Sequence, residues 1–218
     1  MQTSDGPGLV RRMIRRALPL FLLAPLAACM GAEGEGEGLG FLTGPAVSAG
    51  KPALTKTSLY RGDVVVSGPR GYCIDSDSLR RGSAGSFVLL ASCESISGQR
   101  GANAAAPAVM TVSVLPRQGP DAQPTAAELA APLAPARVIR SENGDGISLV
   151  YLSKGGEVVM PGGNPAYWRA AMSINGHLVG LAVYLPNKGQ NQQARGYAMI
   201  LALAETLREN SPVRNYSF

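Results

Sequence analysis

The stretch Tyr167-Trp168-Arg169-Ala170-Ala171-Met172-Ser173-Ile174-Asn175-Gly176-His177-Leu178-Val179-Gly180-Leu181-Ala182-Val183-Tyr184 decides the fold. Asn-Gly is the preferred pair for a two-residue hairpin turn, because both positions accept the left-handed backbone that such a turn requires. Folding the chain back at Asn175-Gly176 sets Ile174 opposite His177, Met172 opposite Val179, Ala170 opposite Leu181 and Trp168 opposite Val183. All but the first of these pairs are wholly apolar. The other face matches Ser173 with Leu178, Ala171 with Gly180, Arg169 with Ala182 and Tyr167 with Tyr184, a smaller and more mixed surface. A slip of one residue would send every side chain to the wrong face, so the pattern specifies the register. The hairpin is therefore expected to lay one face on a core.

Further strands are expected upstream. Asp63-Val64-Val65-Val66 is β-branched and ends at the turn Ser67-Gly68-Pro69, and Tyr72-Cys73-Ile74-Asp75 follows. Phe87 to Cys93 reads as a buried strand, entered through a polar connector over 80–86. Met110-Thr111-Val112-Ser113-Val114 alternates apolar and hydroxyl residues, as a half-buried strand does. Ile147 to Leu152 is another strand, with glycine turns at 155–156 and 162–163. Thr125-Ala126-Ala127-Glu128 has the form of a capping box, and Pro132 limits its helix to a couple of turns. A last helix is expected over roughly 190–209, capped from Asn187-Lys188-Gly189-Gln190 and stopped by Asn210 and Pro212. Tyr197, Ile200, Leu201, Ala204 and Leu207 form its apolar stripe.

The resulting class is α+β, an antiparallel sheet with a C-terminal amphipathic helix packed on one face. In element order it loosely resembles the PsbP-like fold of exported and thylakoid-lumen proteins. A resemblance of fold implies no function.

The N-terminal part has a different character. Arg11, Arg12, Arg15 and Arg16 precede an apolar run from Ala17 to Leu26. At about 1.5 Å per residue that run falls well short of the roughly 30 Å membrane core. A basic start, a short apolar run and then small residues make a secretory signal peptide. Leu26-Ala27-Ala28-Cys29 resembles the lipobox of bacterial lipoproteins. The resemblance implies cleavage before Cys29, with acyl chains of the palmitate kind on the sulfur and amine of that residue. Two or more chains, at about 0.8 kcal/mol per buried methylene, give a stable membrane anchor. Met30 at the following position, where an Asp would hold the protein in the inner membrane, favours the cell outer membrane. The arginine pairs lack the flanking residues of a twin-arginine signal, so general secretion is expected. Met13 would also serve as a start.

Several expectations follow from that resemblance. Residues 1–28 are the signal peptide, 29–57 a lipidated flexible tether and 58–218 a single globular α+β domain. The tether contains Gly31-Ala32-Glu33-Gly34-Glu35-Gly36-Glu37-Gly38, which has no apolar periodicity, and as a coil it would span roughly 30 Å. The chain has 20 Lys+Arg and 15 Asp+Glu; without residues 1–28 it loses four arginines and Asp5, leaving 16 against 14. A net charge of about +2 gives no argument for a nucleic-acid partner. With Cys29 lipidated, Cys73 and Cys93 remain, and the oxidising periplasm makes a disulfide between them the expected state. Two cysteines twenty apart with one distant histidine are poor zinc ligands.

No motif names a reaction. His177 is the lone histidine and the one candidate for general-base chemistry; beside a hairpin turn it is expected to be solvated. There is no Gly-x-Ser-x-Gly. Ser48-Ala49-Gly50-Lys51 falls in the tether, and 44–51 is one residue too long for a phosphate loop and followed by Pro52. Asp75, Asp77, Glu94, Asp145 and Glu157 are available as carboxylates, with surface solvation as their ordinary role. The Asp75-Ser76-Asp77-Ser78 loop lacks the acidic ligands of a calcium loop and reads as Asx-turn chemistry. No metal or cofactor is expected. The expected function is a membrane-anchored, non-catalytic binding or assembly module with an envelope protein partner. The alternative is a hydrolase-type enzyme facing the periplasm that uses His177 or acidic residues.

Overall fold

The computed structural model describes residues 53–99, 104–118 and 123–214. The signal peptide, Cys29 and the Gly-Glu run lie outside them. The elements run β1 (Lys56–Leu59), β2 (Val64–Ser67), β3 (Tyr72–Ile74), β4 (Arg80–Gly82), β5 (Gly85–Ser92), α1 (Cys93–Ser97), β6 (Val109–Arg117), α2 (Ala126–Ala130), β7 (Val138–Gly144), β8 (Ile147–Leu152), α3 (Gly156–Val159), β9 (Tyr167–Ile174), β10 (His177–Tyr184) and α4 (Gln192–Asn210).

The β9–β10 hairpin is the middle of the molecule. Its register is the expected one, with Ile174 on His177, Met172 on Val179, Ala170 on Leu181 and Trp168 on Val183. Asn175 and Gly176 both have positive φ, 52° and 76°. Around the hairpin an antiparallel sheet runs in the order β3-β5-β6-β10-β9-β8-β7, and β4 pairs with the other half of β5. β1 and β2 form a separate two-stranded ribbon.

The apolar face of the hairpin meets α4 and the ribbon. Trp168, Met172, Val179, Leu181, Ile200, Leu203 and Leu207 are all at most 2% exposed and belong to one cluster with Leu59, Val64 and Val66. The helix approaches the sheet closely at Gly196, where a Cβ would lie 2.7 Å from Trp168 Cδ1. The Trp168 indole N–H donates to Gln193 O at 2.8 Å, which orients the ring under that turn. The opposite face carries a smaller cluster of Val109, Val150, Leu152, Tyr167, Ala182 and Tyr184, partly covered by α2. Both halves of the expected capping box are made: Thr125 N–H donates to Glu128 Oε2, and Glu128 N–H to Thr125 Oγ1.

Cys73 and Cys93 form the expected disulfide, with Cα atoms 4.8 Å apart. Cys73 lies opposite Ala91 in the β3–β5 ladder, so the bond closes the end of a strand pair.

Several expectations need correction. The folded body begins before residue 58: Leu54 bridges Ile74, and β1 starts at Lys56. The connector over 80–86 contains β4 and a tight hairpin into β5. Cys93 opens α1, capped by Ser92 accepting from Ser95 N–H, rather than ending a strand. Residues 138–144 form β7, a strand the sequence did not suggest. The last helix starts at Gln192, and Asn191 there has φ 55° with no side-chain cap. The buried stripe of α4 includes Gly196 and Leu203, while Tyr197 and Leu201 are only half-buried.

Candidate functional site

Two clusters of polar side chains stand out among the described residues. The first is built on Asp63, where the ribbon turns toward the end of the sheet. The turn before it is left-handed at Tyr60 (φ 48°) and Arg61 (φ 58°), a conformation that costs free energy for residues other than glycine. Tyr60 is held there from two sides. Its hydroxyl donates to Val114 O at 3.1 Å, and its ring packs on the His177 imidazole with centroids 4.4 Å apart.

His177 is 2% exposed, against the expectation of easy solvation beside a turn. The Tyr60 ring and the β6–β10 pairing cover it. Its Nδ1 lies 2.8 Å from Leu115 O; a carbonyl only accepts, so Nδ1 carries the proton of that bond. Nε2 faces Asp63 Oδ2 at 3.4 Å. Arg117 donates to the same carboxylate oxygen, and Arg214 Nε lies 3.8 Å from the other. The Asn175 amide donates to Asp63 O at 2.7 Å and to Pro212 O at 2.8 Å, and its oxygen accepts from Arg214 N–H at 3.0 Å. Ser211 Oγ accepts from Val65 N–H at 3.0 Å. This cluster ties the ribbon, the β9–β10 turn and the segment after α4 to one carboxylate. Its geometry suits holding three chain segments together. A general base must reach a substrate proton, and here both ring nitrogens face inward to Leu115 and Asp63.

The second cluster lies where β7 meets the helix. Arg140 sits over the Tyr197 ring at 5.0 Å and over Trp168 at 6.0 Å, and its guanidinium reaches Glu142 Oε2 at 3.0 Å. The Tyr197 hydroxyl donates to Glu142 Oε1 at 2.9 Å, and that bond with the nearby carboxylate charge raises the phenol pKa. Tyr151 packs on Trp168 with centroids 5.0 Å apart, and burial pushes its pKa up. On the opposite face Tyr167 and Tyr184 stack at 5.0 Å, and burial likewise raises the pKa of Tyr184.

The carboxylates singled out from sequence do not converge on His177. Asp75 Oδ1 accepts from Asp77 N–H at 3.0 Å, the expected Asx turn. Glu94 lies in the first turn of α1. Asp145 occupies the β7–β8 turn with φ 47°, and Glu157 accepts from Gly155 N–H at 2.8 Å. Among the described residues no three His, Cys, Asp or Glu side chains are grouped to hold a metal ion. The residues that sequence reasoning missed are Asp63, Arg117, Asn175 and Arg214. The only available signal was Asn175, and it read as a turn residue; its side-chain role depends on a contact 112 positions away.

No family model matches the chain, and no curated protein matches it. Among solved structures, the chain is similar to the solution structure of cyanobacterial PsbP (CyanoP) from Synechocystis sp. PCC 6803. The TM-score is 0.37 and the identity 11%, over 77% of this chain and 96% of that one. A likeness at this TM-score and identity carries no argument about this chain's fold family or function.

Proposed function

We propose that the chain is a lipid-anchored cell-envelope protein whose folded body acts as a non-catalytic binding or assembly module on the periplasmic side, with the outer membrane favoured by Met30. The observation that carries this reading is Leu26-Ala27-Ala28-Cys29 placed directly behind the basic and apolar segments of a signal peptide. Two further features support it. The Cys73–Cys93 disulfide suits an oxidising compartment. The single histidine is buried and turned toward structural partners, which favours a module that binds over one that hydrolyses.

Cys29→Ser tests the anchor: it should release the protein from the membrane fraction or block processing. Normal processing with undiminished membrane retention would overturn the reading. Crosslinking in intact membranes followed by mass spectrometry tests the module, and a reproducible protein neighbour is the expected result. A panel of hydrolase substrates tests the alternative, which requires turnover that His177→Ala abolishes.

A further inference from the structure

The two edges of the main sheet are unlike. One is broken into the three-residue strands β3 and β4, and Ile74 of β3 is covered by its bridge to Leu54. The other edge is β7, seven residues long, and among the described strands it pairs with β8 alone. Six of its seven residues are exposed, including Val138 at 38% and Ile139 at 46%. An edge strand presents a row of backbone donors and acceptors, and a long one is a template for another strand unless something blunts it. The ladder irregularity between Val138 and Arg140 bends one end of β7, but the stretch from Arg140 to Gly144 pairs regularly with β8.

The sequence of β7, Val138-Ile139-Arg140-Ser141-Glu142-Asn143-Gly144, is complementary to itself when it is reversed. A two-fold axis through Ser141 pairs Ser141 with its own copy and Arg140 with Glu142 of the second chain, twice. These pairs lie within the regularly paired stretch of β7, clear of the irregularity between Val138 and Arg140. Centring the axis on Arg140 or on Glu142 instead sets like charges opposite one another, which destabilises an antiparallel pair. Arg140 and Glu142 already lie on one face, at 49% and 39% side-chain exposure, so both can reach across the edge. The Arg140 guanidinium lies over Tyr197 and Trp168 and pairs with Glu142 of its own chain, so association exchanges that ion pair for two between chains.

We propose that β7 is a self-association edge: two copies of this chain pair β7 to β7, antiparallel and centred on Ser141, and join their sheets into one. The occupant is a second copy because the strand supplies its own complement, and a two-fold contact of this kind closes on itself. The dimer stands whether or not Cys29 carries lipid, so its test is separate from that of the anchor.

The experiment uses the full chain with its leader, exported in a bacterial host and run on non-reducing electrophoresis with the wild type as baseline. Opposed residues of an antiparallel pair have Cα atoms about 4.5–5.5 Å apart, within disulfide reach. Ser141→Cys should therefore give a covalent dimer above the wild-type baseline, while Asn143→Cys, whose copies lie apart in this register, should not. Charge reversal then tests the register. In the Ser141→Cys background, Arg140→Glu or Glu142→Arg alone should lose the dimer band, and the two variants co-expressed with different tags should regain it as a mixed dimer. An intramolecular effect of the Arg140–Glu142 pair would not restore the band on mixing. No dimer from Ser141→Cys, equal bands from both thiol positions, or no mixed dimer from oppositely charged chains that retain the Cys73–Cys93 disulfide would each overturn the proposal. Capture of a different protein by the engineered thiol, with no dimer, would likewise overturn the second-copy assignment.

Discussion

Gly196→Ala probes the contact that sets the helix on the sheet, and two opposing effects decide its sign. Replacing glycine by alanine inside a helix gains about 1 kcal/mol of propensity. At this position the new Cβ would stand 2.7 Å from Trp168 Cδ1 and 3.4 Å from Nε1. Trp168 is 1% exposed and packed by Tyr151 and Tyr197, so its ring has no open side to move into. Overpacking of this kind costs about 1–3 kcal/mol. Moving the indole also weakens its bond to Gln193 O, for about another 1 kcal/mol. The loss exceeds the gain, and the variant should be less stable by roughly 1–3 kcal/mol. Ala198→Gly, at an exposed position in the same helix, measures the propensity effect alone and should cost about 1 kcal/mol. Urea titration followed by tryptophan emission is a direct assay, because Trp168 is the sole tryptophan. A Gly196→Ala protein as stable as the wild type, or more so, would refute the close approach of α4 to Trp168.

Other perturbations address the remaining supports. Removing the disulfide by Cys73→Ala with Cys93→Ala frees a loop of 20 residues and should cost on the order of 3 kcal/mol in the same titration. Asp63→Ala leaves Arg117, Arg214 and His177 facing an empty place. Breaking a buried pair costs about 3–5 kcal/mol, but Arg117 and Arg214 keep access to water, so roughly 2 kcal/mol is expected. Faster amide exchange at Arg214 should accompany that loss, because its guanidinium would lose the Asp63 carboxylate that steadies the segment after α4, while the Asn175 bonds to backbone carbonyls remain. Tyr72, Tyr151 and Tyr184 are each raised above 10.0 by burial. Above that pH the unfolded chain gives up phenolic protons that the folded chain keeps, so stability falls as pH rises and is unaffected by these groups below it. Tyrosinate absorbance should therefore show a class of phenols that ionise at higher pH in the folded protein than in urea; identical titration of all tyrosines in both states would contradict their burial.

The central hairpin was legible because three signals agree there: an Asn-Gly turn, period-two alternation and three wholly apolar pairs on one face. The capping box at Thr125 and the strand at 147–152 were legible for similar local reasons. β7 was not, because an edge strand needs no apolar alternation, and Arg140, Ser141, Glu142 and Asn143 carry none. β4 is exposed throughout and left equally little trace. The helix stripe was legible at Ile200, Ala204 and Leu207, which are buried, and at Tyr197 and Leu201, which pack on the core edge. Gly196 was not, because it is buried for its lack of a side chain and periodicity cannot register that. His177 was visible as the only histidine. Its burial was not, because that depends on Asp63, 114 positions earlier, and on the Tyr60 ring that covers it. Long-range polar pairs of this kind leave no mark in a local pattern.

The proposed lipid anchor on Cys29 is tested most directly by the mass of the N-terminal fragment. The protein extracted from membranes should begin at Cys29 and carry the added mass of a thioether-linked diacylglycerol, with a further acyl group on the amine. A chain that begins upstream of Cys29, or that begins elsewhere with an unmodified thiol at Cys29, would contradict it.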